Sequence, residues 1–167
     1  FLENTPENYF DTALCFGMFY YTSEPYRLLK LMQRAVRGAI LLDTFTASYA
    51  AIQGKDSIEI HPTVTDELLN LPMLFVTRTQ PDKKDYRLPD SFSQNGKELS
   101  LTTFPTPALI ELWVRSLGMN HQKLDWSNYA EKPCHWRDLY STPQKHQSHW
   151  ADVYTSGARV SYRIQKQ

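Results

Sequence analysis

The sequence predicts an α/β fold: a sheet opened by two parallel strands with an amphipathic covering helix between them, and ended by a further strand. Three observations predict it. Leu14 to Phe19 is an almost unbroken apolar run holding Cys15 and Gly17, the pattern of a strand buried on both faces near the middle of a sheet. Tyr26 to Val36 puts Leu28, Leu29, Met32, Ala35 and Val36 on one helical face and Arg27, Lys30 and Arg34 on the other, and a second apolar run, Ala39 to Ala47, follows at once. Near the end, Ala158, Val160, Tyr162 and Ile164 alternate with Arg159, Ser161, Arg163 and Gln165, the period of a strand.

The elements follow in order. Phe1 to Tyr9 is polar, carries Pro6, and reads as a connection into the first strand. After Tyr20 and Tyr21, the run Thr22-Ser23-Glu24-Pro25 supplies a helix cap, an acidic first turn and a proline where a missing N–H costs nothing. Gly38 is expected to end that helix behind a basic last turn. Ser48 to Thr103 is irregular, with prolines at 62, 72, 81 and 89, a charged run from Asp82 to Asp85 and the turn Gln94-Asn95-Gly96. Within it, Asp66 to Leu71 suits a short helix and Met73 to Thr79 a strand, and part of the segment is expected to fold over a site. Thr106 is a natural N-cap with Pro107 at the first helical position, and Leu109, Ile110, Trp113, Val114 and Leu117 form a buried stripe closed by Gly118. Met119 to Asn128 supplies a further strand, and Tyr129 to Gly157, rich in Trp, His and Pro, reads as a loop with short helical pieces.

In open α/β sheets ligands bind just outside the carboxyl ends of the strands, so Gly17 to Tyr21 is the first place to look for a site. The residues there also carry a resemblance. Phe10-Asp-Thr-Ala-Leu-Cys-Phe-Gly-Met-Phe-Tyr-Tyr-Thr-Ser-Glu-Pro25 resembles the fourth-strand signature of class I S-adenosylmethionine-dependent methyltransferases, F-D-x-V-x-x-x-G-V-L-Y-H-x-x-D-P. Phe10, Asp11, Gly17, Tyr20 and Pro25 fall on family counterparts, while Tyr21 stands where the family often has histidine and Glu24 where it often has aspartate. Leu41-Leu42-Asp43-Thr44 is similar to the end of the family's next strand, L-V-L-E-T. The segment from Phe104 to Met119 looks like the family's I-P-S-x-x-x-L-x-x-W-L-x-x-x-G-F helix.

The resemblance implies the second half of a Rossmann-like methyltransferase sheet with helices on both faces and an irregular insertion. It also implies S-adenosylmethionine as cofactor and a small-molecule or RNA methyl acceptor. Phe16, Gly17 and Tyr20 would be cofactor-binding, and Tyr21 substrate-binding. Arg159 is similar to the last-strand arginine of a subfamily that modifies the wobble uridine of transfer RNA, where it binds a carboxylate on the cofactor. The plain readings are a strand end for Gly17, an aromatic packing residue for Tyr20 and an exposed strand arginine for Arg159. No catalytic base is readable, and transfer from a sulfonium rests largely on positioning.

The family's glycine-rich turn is missing, because the six glycines, at 17, 38, 54, 96, 118 and 157, show no G-x-G spacing. With Phe1 at the start of the sequence, the expectation is the C-terminal part of one methyltransferase-like domain over residues 1–167, completed by an N-terminal half or a partner chain, with a homodimer as the alternative use of the open strand edge. A non-catalytic module keeping the half-fold is the second reading. Eighteen basic and eighteen acidic residues give no net charge to attract nucleic acid or an anionic surface. Two distant cysteines suit a reducing compartment, the cytoplasm. No apolar run reaches membrane-spanning length. His146 and His149 form a lone H-x-x-H with His135 nearby, too little for a metal site, and Cys15 reads as a small core residue.

Overall fold

The computed structural model describes residues 1–52, 64–79, 90–130, 132–139 and 150–166. It is mixed α/β, built on two open sheets. In the larger sheet β1 (Phe10–Phe16) pairs in parallel with β2 (Val36–Phe45), and α1 (Pro25–Ala35) crosses between them. The strand order continues through the last strand of the chain to its neighbour. With β3 (Leu74–Thr79), β4 (Ser91–Gln94) and β5 (Lys97–Pro105) forming the smaller sheet, these are β7 (Arg159–Lys166) and β6 (Met119–Lys123), giving β1-β2-β7-β6 with β7 antiparallel to both neighbours.

The core lies on one face of the large sheet. Cys15, Ile40, Leu42, Val160, Tyr162 and Ile164 point to it, and Leu29 and Met32 of α1 pack there with Ile110 and Val114 of a later helix (Pro107–Ser116). The helices were expected on both faces; among the described residues these two cover the same face. The opposite face is bare toward β1, where Leu14 is 64% and Phe16 54% exposed. The apolar run therefore does not mark a strand buried on both sides in mid-sheet, as expected, because among the described residues β1 is the outer strand and has one neighbour.

Two local expectations are also corrected. The N-cap of α1 is Glu24, with Pro25 at the first helical position; Thr22 Oγ accepts the Glu24 N–H at 3.1 Å, and the Glu24 carboxylate turns back to Arg27 at 2.9 Å. Gly38 does not end the helix. The chain passes from Ala35 directly into extended backbone at Val36, and Gly38 lies inside β2 beside the register shift in the β1/β2 ladder. A Cβ on Gly38 would lie 2.6 Å from the Asp11 carbonyl oxygen, so close backbone approach is what requires glycine here.

The segment expected to be irregular holds α2 (Ala47–Ile52), α3 (Asp66–Leu69) and the three-stranded sheet β3-β5-β4. Asn95 and Gly96, with φ of 53° and 73°, make a two-residue turn that pairs Gln94 with Lys97. Thr106 caps α4 (Pro107–Ser116) as expected: its Oγ accepts the Leu109 N–H at 3.3 Å and the Met73 N–H at 3.0 Å, tying the helix start to the edge of β3. The loop before β7 carries the short helical pieces expected of it, including α5 (Asp152–Thr155). The charged run at 82–85 lies outside the described residues.

Candidate functional site

The carboxyl ends of β1 and β2 meet the start of β7, and three of the expected site residues gather there. Gly17 follows the last residue of β1 at φ +68°, a left-handed conformation that costs a side-chain-bearing residue about 1–2 kcal/mol. Its N–H donates to the Asp43 carbonyl at 3.0 Å, fixing the strand end to β2. A Cβ at Gly17 would point into the site, 3.8 Å from Tyr20 Oη and 3.9 Å from Arg159 Nη2. Glycine, tyrosine and arginine thus share one small volume although they are far apart in sequence.

Tyr20 is held by aromatic packing. It stacks on Phe104 of β5 with ring centroids 5.7 Å apart and planes 12° from parallel, meets Phe45 edge-on at 5.3 Å and lies against Tyr21 at 4.3 Å. The loop bearing it is tied to the smaller sheet, since Thr103 Oγ donates to the Thr22 carbonyl at 2.8 Å and the Ser23 N–H donates to Asp90 at 2.7 Å. Asp90 and Thr103, from the segment expected to fold over a site, thus hold the loop that carries Tyr20. Burial, with Tyr21 beside it, pushes the Tyr20 phenol far above its ordinary range, so it is a neutral hydrogen-bonding group and not a base.

Arg159 faces inward and not to bulk solvent. Its Nε donates to Asp43 Oδ1 at 2.5 Å, Nη2 bonds the same oxygen, and the guanidinium lies 4.6 Å from the centroid of Phe45. Burial lowers its pKa, but the Asp43 hydrogen bond and charge more than reverse this, so the cation is firmly held. Asp43, only 8% exposed, is the hub of the site: besides Arg159 it accepts from Ser161 Oγ at 2.6 Å and Tyr154 Oη at 2.9 Å. An acidic residue in the middle of the apolar run Leu41-Leu42-Asp43-Thr44 was the available signal, because a carboxylate buried in a strand must find cations or donors. Phe45 and Phe104 carried no such signal, and neither did Tyr154, in a loop without periodicity.

Phe16 is the last residue of β1 and shares the open face with Asp43 by register; it is largely exposed. Cys15 is a core residue, as expected, with burial first and the Asp43 charge second raising its thiol to about 11. His146 and His149 lie outside the described residues. His135 is used structurally, its Nδ1 accepting the Arg137 N–H at 3.2 Å and its Nε2 facing Asp66 at 3.3 Å. Among the described residues no group of three His, Cys, Asp or Glu is placed to hold a metal, and no helix is long and apolar enough to cross a membrane. Comparison with family models, curated proteins and solved structures finds no match to this chain.

Proposed function

We propose that this chain is the C-terminal half of a Rossmann-like, S-adenosylmethionine-dependent methyltransferase, acting on a small-molecule or RNA acceptor. The observation that carries the reading is the convergence of Gly17, Tyr20 and Arg159 at the carboxyl ends of a parallel strand pair, beside an antiparallel closing strand. Those are the positions the methyltransferase resemblance assigns to the cofactor, and a ligand site at that edge follows from sheet geometry as well.

The residues present suit part of such a cofactor. The missing side chain at Gly17 leaves a cradle that a Cβ would fill, bounded by a phenol and a guanidinium. A guanidinium has five N–H donors. Asp43 engages Nε and Nη2 of Arg159, and the remaining fork would take a carboxylate. Tyr20 would border the methionine portion, Phe16 the adenine, and Tyr21 the acceptor. When bound, the cofactor supplies an electrophilic methyl on a sulfonium. The chain's own task is then to hold the acceptor in line and exclude water. The other half of the sheet, with the glycine-rich turn, would join at the β1 edge. Cys15, buried in the core, and Cys134, distant from it in sequence, suit a reducing compartment and hence the cytoplasm.

One observation favours the second reading, a non-catalytic module: the Arg159 cation is already paired internally by Asp43. Calorimetric titration of the complete protein with S-adenosylmethionine and S-adenosylhomocysteine separates the two. The methyltransferase reading expects binding that Gly17→Leu abolishes and Lys97→Gln, at an exposed hairpin position, leaves intact. Absence of binding to both compounds leaves the module.

A further inference from the structure

Arg159 also lines a concavity in which neither Gly17 nor Tyr20 takes part. It is a groove of about 380 Å³ between the segment after β6, α5 and the start of β7. Arg159, Ser161, Trp126 and Tyr154 are among the residues that line it. Polar groups of these residues are already engaged: Trp126 Nε1 donates to Ser161 Oγ at 3.3 Å, and Ser161 and Tyr154 both donate to Asp43. Its charges are balanced too. Arg159 is paired with Asp43, while at the rim Asp125 is held ionised first by the Ser127 N–H at 2.9 Å and also by the charge of Lys123.

What the groove offers a ligand is therefore ring surface. Trp126 and Tyr154, both half-buried, line it with ring centroids 5.3 Å apart, and Trp126 is backed from outside the lining by Trp150 at 5.5 Å and Tyr129 at 6.0 Å. Ring faces lining a concave, mostly apolar site are the surface on which flat π-systems stack. The volume is at the small end of the range of about 300–1,000 Å³ that takes small molecules, so one or two fused rings fit and a folded partner does not.

We propose that this groove binds a neutral, planar aromatic molecule of one or two fused rings, stacked against Trp126 and Tyr154. Arg159 lines the groove and also borders Gly17, so the bound ring would sit next to the cradle assigned to the methyl donor. Its role as methyl acceptor rests on the methyltransferase reading; its binding does not.

Quinoline is a suitable probe, with N-methylquinolinium as the charged comparator and cyclohexylmethanol as the non-planar one. Each is titrated into the complete protein and followed by the tryptophan indole N–H resonances. Saturable quinoline binding is expected, at least tenfold tighter than for either comparator. Trp126→Leu should weaken it tenfold or more. Ser127→Phe, at the exposed rim, should do the same by filling the groove, and it decides the matter should Trp126→Leu lose its cooperative melt. No saturable binding, equal binding of a comparator, or quinoline binding unchanged in a folded variant overturns the proposal. Calorimetry with S-adenosylhomocysteine runs in parallel: its failure beside intact quinoline binding overturns the methyltransferase reading alone and supports the groove as a ligand site.

Discussion

Asp43 decides the chemistry of the site at the scale of single residues. A carboxylate 8% exposed holds one cation and two hydroxyls, so removing its charge leaves a half-buried guanidinium without its partner. Asp43→Asn should destabilise the protein by about 3 kcal/mol, the low end of the range for breaking a buried pair, because Arg159 keeps some contact with water. Urea unfolding at neutral pH measures this, and a loss near zero would mean that the network relaxes to water. Arg159→Lys keeps the charge but not the planar fork. It should weaken S-adenosylhomocysteine binding while leaving the decarboxylated analogue little changed; equal effects on both would remove Arg159 as a carboxylate ligand. Cys15 gives a pH dependence. Its folded pKa of about 11 lies above the ordinary 9.0, so the folded state prefers the neutral thiol. That preference contributes fully below pH 9 and is lost as pH rises through about 11, amounting to roughly 3 kcal/mol. Urea midpoints measured from pH 8 to 11 should therefore fall more steeply for the wild type than for Cys15→Ala.

At the scale of elements, what was legible in the sequence is what depends on local spacing. The α1 stripe of Leu29, Met32 and Ala35, the Thr106 cap before Pro107, the Asn95-Gly96 turn and the alternation of β7 all express the period or backbone need of one segment, and each was readable there. Gly17 and Tyr20 were also named from a strand end, whereas Arg159 was named only by the family resemblance, since alternation alone left it on the polar face of the closing strand. What escaped was set by partners elsewhere in the chain. The sheet β3-β5-β4 depends on pairings that no single segment announces, and Asp43 became a hub only once β7 and α5 were laid against β2. Gly38 was misread as a helix stop for the same reason, since the Asp11 carbonyl that forbids a side chain belongs to another strand. Gly38→Ala should therefore cost about 1–3 kcal/mol by forcing β1 and β2 apart. A thermal melt compares it with the wild type; an unchanged midpoint would show that the strands can separate freely there.

At the scale of the whole molecule the large sheet, among the described residues, is open at both outer strands, β1 and β6, and bare beside β1 on the face opposite the core. Parallel strands are ordinarily covered on both faces, yet β1 lies at the end of the sheet order with Leu14 and Phe16 exposed on the face opposite the core. An outer strand that is apolar and flat is a template for another strand, and natural edges are usually protected by charge, proline or a bulge. The irregularity at Phe10 to Thr12 and the exposed ion pair of Asp11 with Arg37 protect only the start of β1. Its second half, from Ala13 to Phe16, carries no charge. The 167 residues expressed alone should accordingly self-associate, through β1 pairing with a second copy or through the bare face beside it. Light scattering at increasing concentration should give a mass above 19.5 kDa, and Leu14→Lys, which places a cation on that face without touching the core, should shift the population toward monomer. Co-expression with a chain that supplies the neighbouring strand should do the same and raise the melting temperature. A monomer of these 167 residues with a sharp, cooperative melt would contradict the role given to the β1 edge, and with it the proposal that more of the sheet joins there.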